Sequence, residues 1–122
     1  MERLFFTLGA LCGCVGVALG AFAAHGLKSR LAPELLATFE IGVRYQMYHA
    51  FALLAVGWAQ TRWPGTVLDA SGWLFVAGTL LFSGSLYALS LTGEKWLGAI
   101  APVGGLALLG GWLFLAWAVW KG

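Results

Sequence analysis

Four long apolar stretches joined by short polar links leave few folds open to this sequence. A helix needs about 20 apolar residues to cross a hydrocarbon core of about 30 Å. The stretches are residues 4–24, 34–60 (apolar from Ile41 to Gln60), 70–91 and 97–120. Over 122 residues the chain is 61% hydrophobic and only 10% charged, with a mean hydropathy of +0.86. Soluble domains are about 45–50% apolar and about 25% charged. A water-soluble fold of this size would lack the polar side chains to cover its surface, so lipid must supply the solvent. Short links make consecutive helices antiparallel neighbours. The expectation is therefore all-α: one integral membrane domain, an up-down-up-down four-helix bundle with spans at about 4–24, 34–60, 70–91 and 97–120.

In this register both termini share one face of the membrane, side A. Trp58, Trp63, Trp73, Trp117 and Trp120 fall near side A and Trp96 at side B, the distribution of an interfacial aromatic belt. Arg3, Arg62 and Lys121 on side A balance Lys28, Arg30 and Lys95 on side B, with Arg44 close to that boundary, so charge bias sets no orientation. The net charge of +2 is spread without a basic run, which argues against a nucleic-acid partner and leaves membrane lipids as the expected surroundings. Met-Glu-Arg, an apolar run and Ala21-Phe22-Ala23 have the outline of a secretory signal. Leu11-Cys12-Gly13-Cys14 faintly resembles a lipoprotein processing site. The first segment is nevertheless expected to be a resident span. Cys12 and Cys14, two apart on a helix, point about 200° from each other and cannot bridge locally. They read as small buried residues.

Between helices in lipid, close packing by small residues replaces the hydrophobic effect. Gly9, Gly13, Gly16, Gly20 and Ala24 form one stripe on the first span, and Gly98, Ala101, Gly104, Gly105, Ala107 and Gly111 repeat the theme on the fourth. These faces serve packing within the bundle or, alternatively, contact in a homo-oligomer or a larger membrane complex.

The second helix is the unusual one. Pro33 and Glu34 suit a first turn, and a helix from there to Gln60 is about 40 Å long, more than the hydrocarbon thickness. Counting back from Gln60 puts Glu40 at the side B boundary, Arg44 just inside it and His49 about 12 Å deep. Glu40 and Arg44 are spaced for an ion pair in the favourable order, and Arg44 can also snorkel to side B. At about 100° per residue two polar faces emerge, Glu40/Arg44/Tyr48 and Tyr45/His49. Such a helix belongs at the centre of a bundle or at an interface between protomers. His49, Ser83, Ser85, Pro102, Gly104 and Gly16 all fall about 9–12 Å below side B, one polar or small contribution from each span. In one reading this layer is packed, with His49 bonded to a serine or tyrosine hydroxyl. In the other it is a small cavity open to side B, where His49 and Glu40 handle a proton, an ion or a lipid headgroup.

Catalytic or cofactor chemistry finds little support. His25 and His49 invite haem ligation, but their depths differ by about 10 Å, a mismatch for shared axial ligands. No zinc spacing, Walker loop, G-x-S-x-G or H-E-x-x-H occurs, so neither an enzyme nor a metal or other cofactor is expected.

Four motifs, in order, carry a family resemblance. They are Gly20-Ala-Phe-Ala-Ala-His-Gly-Leu27, Phe39-Glu-Ile-Gly-Val-Arg-Tyr-Gln-Met-Tyr-His-Ala50, Leu81-Phe-Ser-Gly-Ser-Leu-Tyr87 and Ala101-Pro-Val-Gly-Gly105. Through them the chain resembles domain-of-unknown-function family 423, whose animal members are called transmembrane protein 256. The departures are Ala23, where the family often has glycine, and Ala101, where threonine is common and a hydroxyl is lost. The resemblance implies a four-span protein of the bacterial plasma membrane with both termini cytoplasmic, and it implies no activity.

Two functions follow. The first is a non-enzymatic scaffold or accessory subunit whose candidate polar network comprises His25, Glu40, Arg44, Tyr45, Tyr48, His49, Ser83, Ser85 and Tyr87. The second is a small transporter, channel or lipid-binding bundle with its site around His49 and Glu40.

Overall fold

A computed structural model describes all 122 residues, and every regular element in it is helical. Helix α1 (Glu2–Phe22) continues into a five-residue π-helical turn, Ala23–Leu27, without leaving its axis. Helix α2 (Pro33–Gln60) starts on Pro33, whose missing N–H and fixed φ suit a first turn. Helix α3 (Thr66–Thr92) stops at Gly93, whose φ of +75° lies in the left-handed region that favours glycine. A short 3-10 turn, Lys95–Ala99, leads into α4 (Ala101–Lys121).

Helix α3 begins four residues before the apolar run that marks it in the sequence. Asp69, which reads as part of a polar link, sits in its first turn where a carboxylate complements the helix dipole. It also accepts a hydrogen bond from Gln60 Nε2 at 2.5 Å, while neighbouring Leu68 is fully buried. The last turns of α2 and the first of α3 are thereby clasped together.

Three helical segments are long and apolar enough to cross a membrane: Glu2–Leu27, Thr66–Thr92 and Lys95–Lys121. Helix α2 has the length but not the hydropathy, because Arg44, Gln46 and His49 interrupt its apolar run.

Successive helices pack antiparallel: α1 on α2, α2 on α3 and α3 on α4, with no packed interface between α1 and α4. The pair α2/α3 is therefore central, and α1 and α4 occupy opposite corners. The closest approaches to the backbone of a neighbouring helix fall at two glycines. A Cβ on Gly9 would lie 2.9 Å from the carbonyl oxygen of Ala50, and one on Gly104 would strike the backbone nitrogen of Phe82. Gly16, Gly20 and Gly111 also face neighbouring side chains closely (Met47, Val43 and Phe75), whereas Gly13 and Gly105 have ordinary van der Waals room. The main core, with Phe5, Leu53, Val56, Leu68, Phe75 and Leu108, fills the half of the molecule toward the termini. A smaller cluster of Ala23, Leu27 and Phe39 closes the other end.

Candidate functional site

Two stripes at heptad spacing run down opposite sides of α2. The inner one, Phe39, Gly42, Gln46, His49, Leu53, Val56 and Gln60, is buried throughout. The outer one, Ala37, Ile41, Arg44, Tyr48, Phe51, Ala55 and Trp58, is exposed throughout. Alternating steps of three and four residues hold a set of side chains on one line of a helix, so each stripe is a continuous seam. Gln46, His49 and Gln60 share the burial of the inner seam and Arg44 and Tyr48 the exposure of the outer one, while Glu40 and Tyr45 lie exposed beside it.

Gln46 organises the inner seam toward α1 and α3. It is 6% exposed. Its Nε2 donates to the carbonyl oxygen of Cys12 at 2.9 Å, and its Oε1 accepts from the Tyr87 hydroxyl at 2.6 Å. The Cys12 thiol returns a contact to the Gln46 carbonyl oxygen at 3.6 Å. One amide thus joins three helices, each group satisfied as a buried polar atom requires. Ser83, one turn before Tyr87, donates to the carbonyl oxygen of Gly42 at 2.7 Å.

His49 points to the opposite side, toward α4. Trp112 Nε1 donates to His49 Nε2 at 3.1 Å, and His49 Nδ1 lies 2.6 Å from the carbonyl oxygen of Tyr45. That pattern puts the imidazole proton on Nδ1 and leaves neither nitrogen free. The rings of Phe75 and Trp112 flank it at centroid distances of 5.6 and 5.8 Å. The hydroxyl partner anticipated for His49 is replaced by an indole, because α4 brings Trp112 to the level of His49 and places no serine there.

The single polar layer expected from depth counting is divided. Ser83 is level with Gly42, about two helical turns from His49, because α3 starts early and its register shifts with it. Ser85, although buried, turns back onto its own helix and donates to Phe82 O at 2.9 Å. Tyr45 and Tyr48 stay exposed and pack edge to face at 5.5 Å, so Tyr45 contributes its carbonyl and not its hydroxyl to His49. His25 lies exposed in the π-helical turn.

Glu40 and Arg44 do not form the ion pair their spacing suggests. No salt bridge closer than 4.0 Å exists in the chain, and both side chains are exposed on the outer side of α2. Glu40 and His49 therefore do not converge on a common cavity. No three His, Cys, Asp or Glu side chains gather where a metal ion could be held. Of the buried side-chain polar atoms, only Thr79 Oγ1 lacks a partner.

Gln46 and Trp112 are the functional-looking residues that sequence reasoning passed over. An amide three residues before His49 in an apolar run was a usable signal for the first. Trp112 also stood out as the tryptophan outside the interfacial belts.

Comparison with known proteins follows the same lines. The family model described as "Protein of unknown function (DUF423)" matches residues 19–105. Among similar curated proteins, each named a UPF0382 membrane protein, one from Staphylococcus haemolyticus is 43% identical over 119 residues, covering 98% of this chain and 97% of that protein. One from Bacillus subtilis is 42% identical over 120 residues, covering 98% of each. One from Haemophilus influenzae is 44% identical over 122 residues, covering 99% of this chain and 97% of its own. No solved structure matches the chain. With relatives so named and three helices suited to a bilayer, this is a multi-pass membrane protein.

Proposed function

We propose, from the premise that this chain belongs to the DUF423 family, that it is a non-enzymatic four-span scaffold that self-associates in the membrane through the outer seam of α2. The observation that carries this reading is the state of Glu40 and Arg44. They are four residues apart in the favoured order, exposed on one side of α2, and unpaired within the chain.

Helix α2 lies antiparallel on α1 from the Gly57–Phe6 contact to the Gly20–Val43 contact, which supports a crossing of α2 alongside α1. Four crossings would put both termini on one face, in this reading the cytoplasmic one. In that setting the exposed side of α2 would present Arg44, Tyr48 and Tyr45 to lipid. An arginine costs about 2.5–3.5 kcal/mol at mid-bilayer even on the lenient scale, and less just inside the boundary where Arg44 lies. Snorkelling lowers that toward the boundary but does nothing for the tyrosines beside it. The exposed span surfaces of α1 and α4 carry no ionised residue, for example Leu11, Val15 and Val17 on α1 and Leu106, Leu109 and Leu113 on α4.

A second copy resolves the mismatch. About a two-fold axis along the membrane normal each residue is level with its own copy, and Arg44 of each chain reaches one helical turn along the axis to Glu40 of the other, so the pair forms twice in one self-complementary interface. The heptad spacing of the outer seam suits packing against another helix. The saturated inner network suits a rigid frame and leaves His49 no free nitrogen, which disfavours a transport or binding site at His49 and Glu40. The test is native mass spectrometry of the full chain released from nanodiscs with lipids retained. The expected species is a dimer, and a monomer across the accessible concentration range overturns the proposal.

A further inference from the structure

We infer that the groove between α1 and α3 binds a neutral, chain-bearing lipophile whose carbonyl accepts a hydrogen bond from Thr79, and that isoprenoid quinones are the membrane-resident class that fits. The inference does not depend on the scaffold reading. The groove has a volume of about 410 Å³, within the range of small-molecule sites. Leu11 and Val15 of α1 and Val76 and Leu80 of α3 form its walls, and Gln46 and Leu53 of α2 its floor.

Thr79 supplies the polar signal. It lines the groove, is 9% exposed, and carries the one buried side-chain polar atom without a partner; its hydroxyl is closed off while the groove is empty and meets a ligand by rotation about χ1. A helical threonine ordinarily donates to the carbonyl four residues back. Thr7, Thr38 and Thr92 do so here, to Arg3, Glu34 and Ala88, whereas Thr79 makes no such bond to Phe75. A buried hydroxyl left unpaired in lipid is costly, and an acceptor brought by a ligand removes that cost. The other polar groups around the groove are already engaged: Gln46 with Cys12 and Tyr87, and Ser83 with Gly42. One anchor remains.

Depth selects the chemistry. Thr79 is the central residue of α3, about 20 Å from either end of the helix. Glycerolipid ester carbonyls stay near the headgroups and do not reach it, and an ionised head is too costly at that depth. A neutral ring carbonyl on a long apolar chain can lie there. Space for it exists beside Gly84, which lines the same groove and where an added Cβ would meet nothing within 4 Å.

The experiment uses the full chain in nanodiscs and a decyl-substituted benzoquinone as probe, with uptake measured against protein-free discs and against decylbenzene. Saturable binding of one quinone per chain is expected, at least fivefold tighter than decylbenzene. Thr79→Val, which keeps the side-chain shape, should weaken it at least fivefold. Gly84→Phe, which fills open space, should abolish it, and both variants should retain the wild-type helical signal and melting temperature within a few degrees. Quinone uptake equal to that of empty discs, or unchanged in both variants, overturns the inference. Decylbenzene binding as tightly as the quinone does so too, since the hydroxyl would then play no part.

Discussion

The Tyr87 hydroxyl donates to the side-chain oxygen of Gln46 at 2.6 Å, across the interface between α3 and α2. The same amide holds the backbone of α1 through Cys12. A single neutral side chain thus fixes the rotation of three helices about their axes, in a region where packing alone discriminates poorly between rotations.

Removing that amide should be felt on both sides. Gln46→Leu leaves the Tyr87 hydroxyl and the Cys12 carbonyl without their partner, and should cost about 1–3 kcal/mol. Tyr87→Phe removes one bond and should cost about 1 kcal/mol. Equilibrium unfolding in mixed micelles, run as a double-mutant cycle, should give a coupling of at least about 0.5 kcal/mol. Additive losses would mean that the two side chains act independently.

The fourth helix offers a contrast between adjacent glycines. Gly104→Ala puts a methyl group into the backbone of α3 and should destabilise by about 1–3 kcal/mol or more. Gly105→Ala has ordinary room and should be neutral or stabilising by up to about 1 kcal/mol. Thermal unfolding of the two single variants reads the difference, and equal effects would contradict the close approach of α3 and α4 at Gly104.

Whether α2 crosses the membrane is open to direct measurement. Reporter fusions at the N- and C-termini, or cysteines introduced at both ends and probed with an impermeant reagent, should show both ends on one face. Opposite faces would mean three crossings and a second helix that does not span.

Helical class, membrane residence and the start of α2 at Pro33 were legible because they depend on local properties: run length, hydropathy and a proline suited to a helix's first turn. The special character of α2 was also legible, since charged and aromatic polar residues stand out in an apolar run. Pairings were harder. Glu40 and Arg44 satisfy the spacing rule for a local pair, yet the rule concerns one helix and says nothing of where their long side chains turn. Counting depth from one boundary placed His49 with Ser83, but α3 starts at Thr66 and carries its serines to another level. Gln46 was overshadowed by its ionisable neighbours, although an uncharged amide that both donates and accepts is the better bridge between helices.

Charge reversal and mixing test the interface between copies most directly. Glu40→Arg gives a chain with two arginines on the exposed side of α2, and Arg44→Glu gives one with two glutamates there. Each variant alone should dissociate to monomer in native mass spectrometry, because like charges then meet twice. Mixed in equimolar amounts and reconstituted together, they should form a heterodimer, since both cross pairs are restored with opposite signs. Homodimers of either single variant as abundant as the wild type, or no heterodimer on mixing, would contradict association through Glu40 and Arg44.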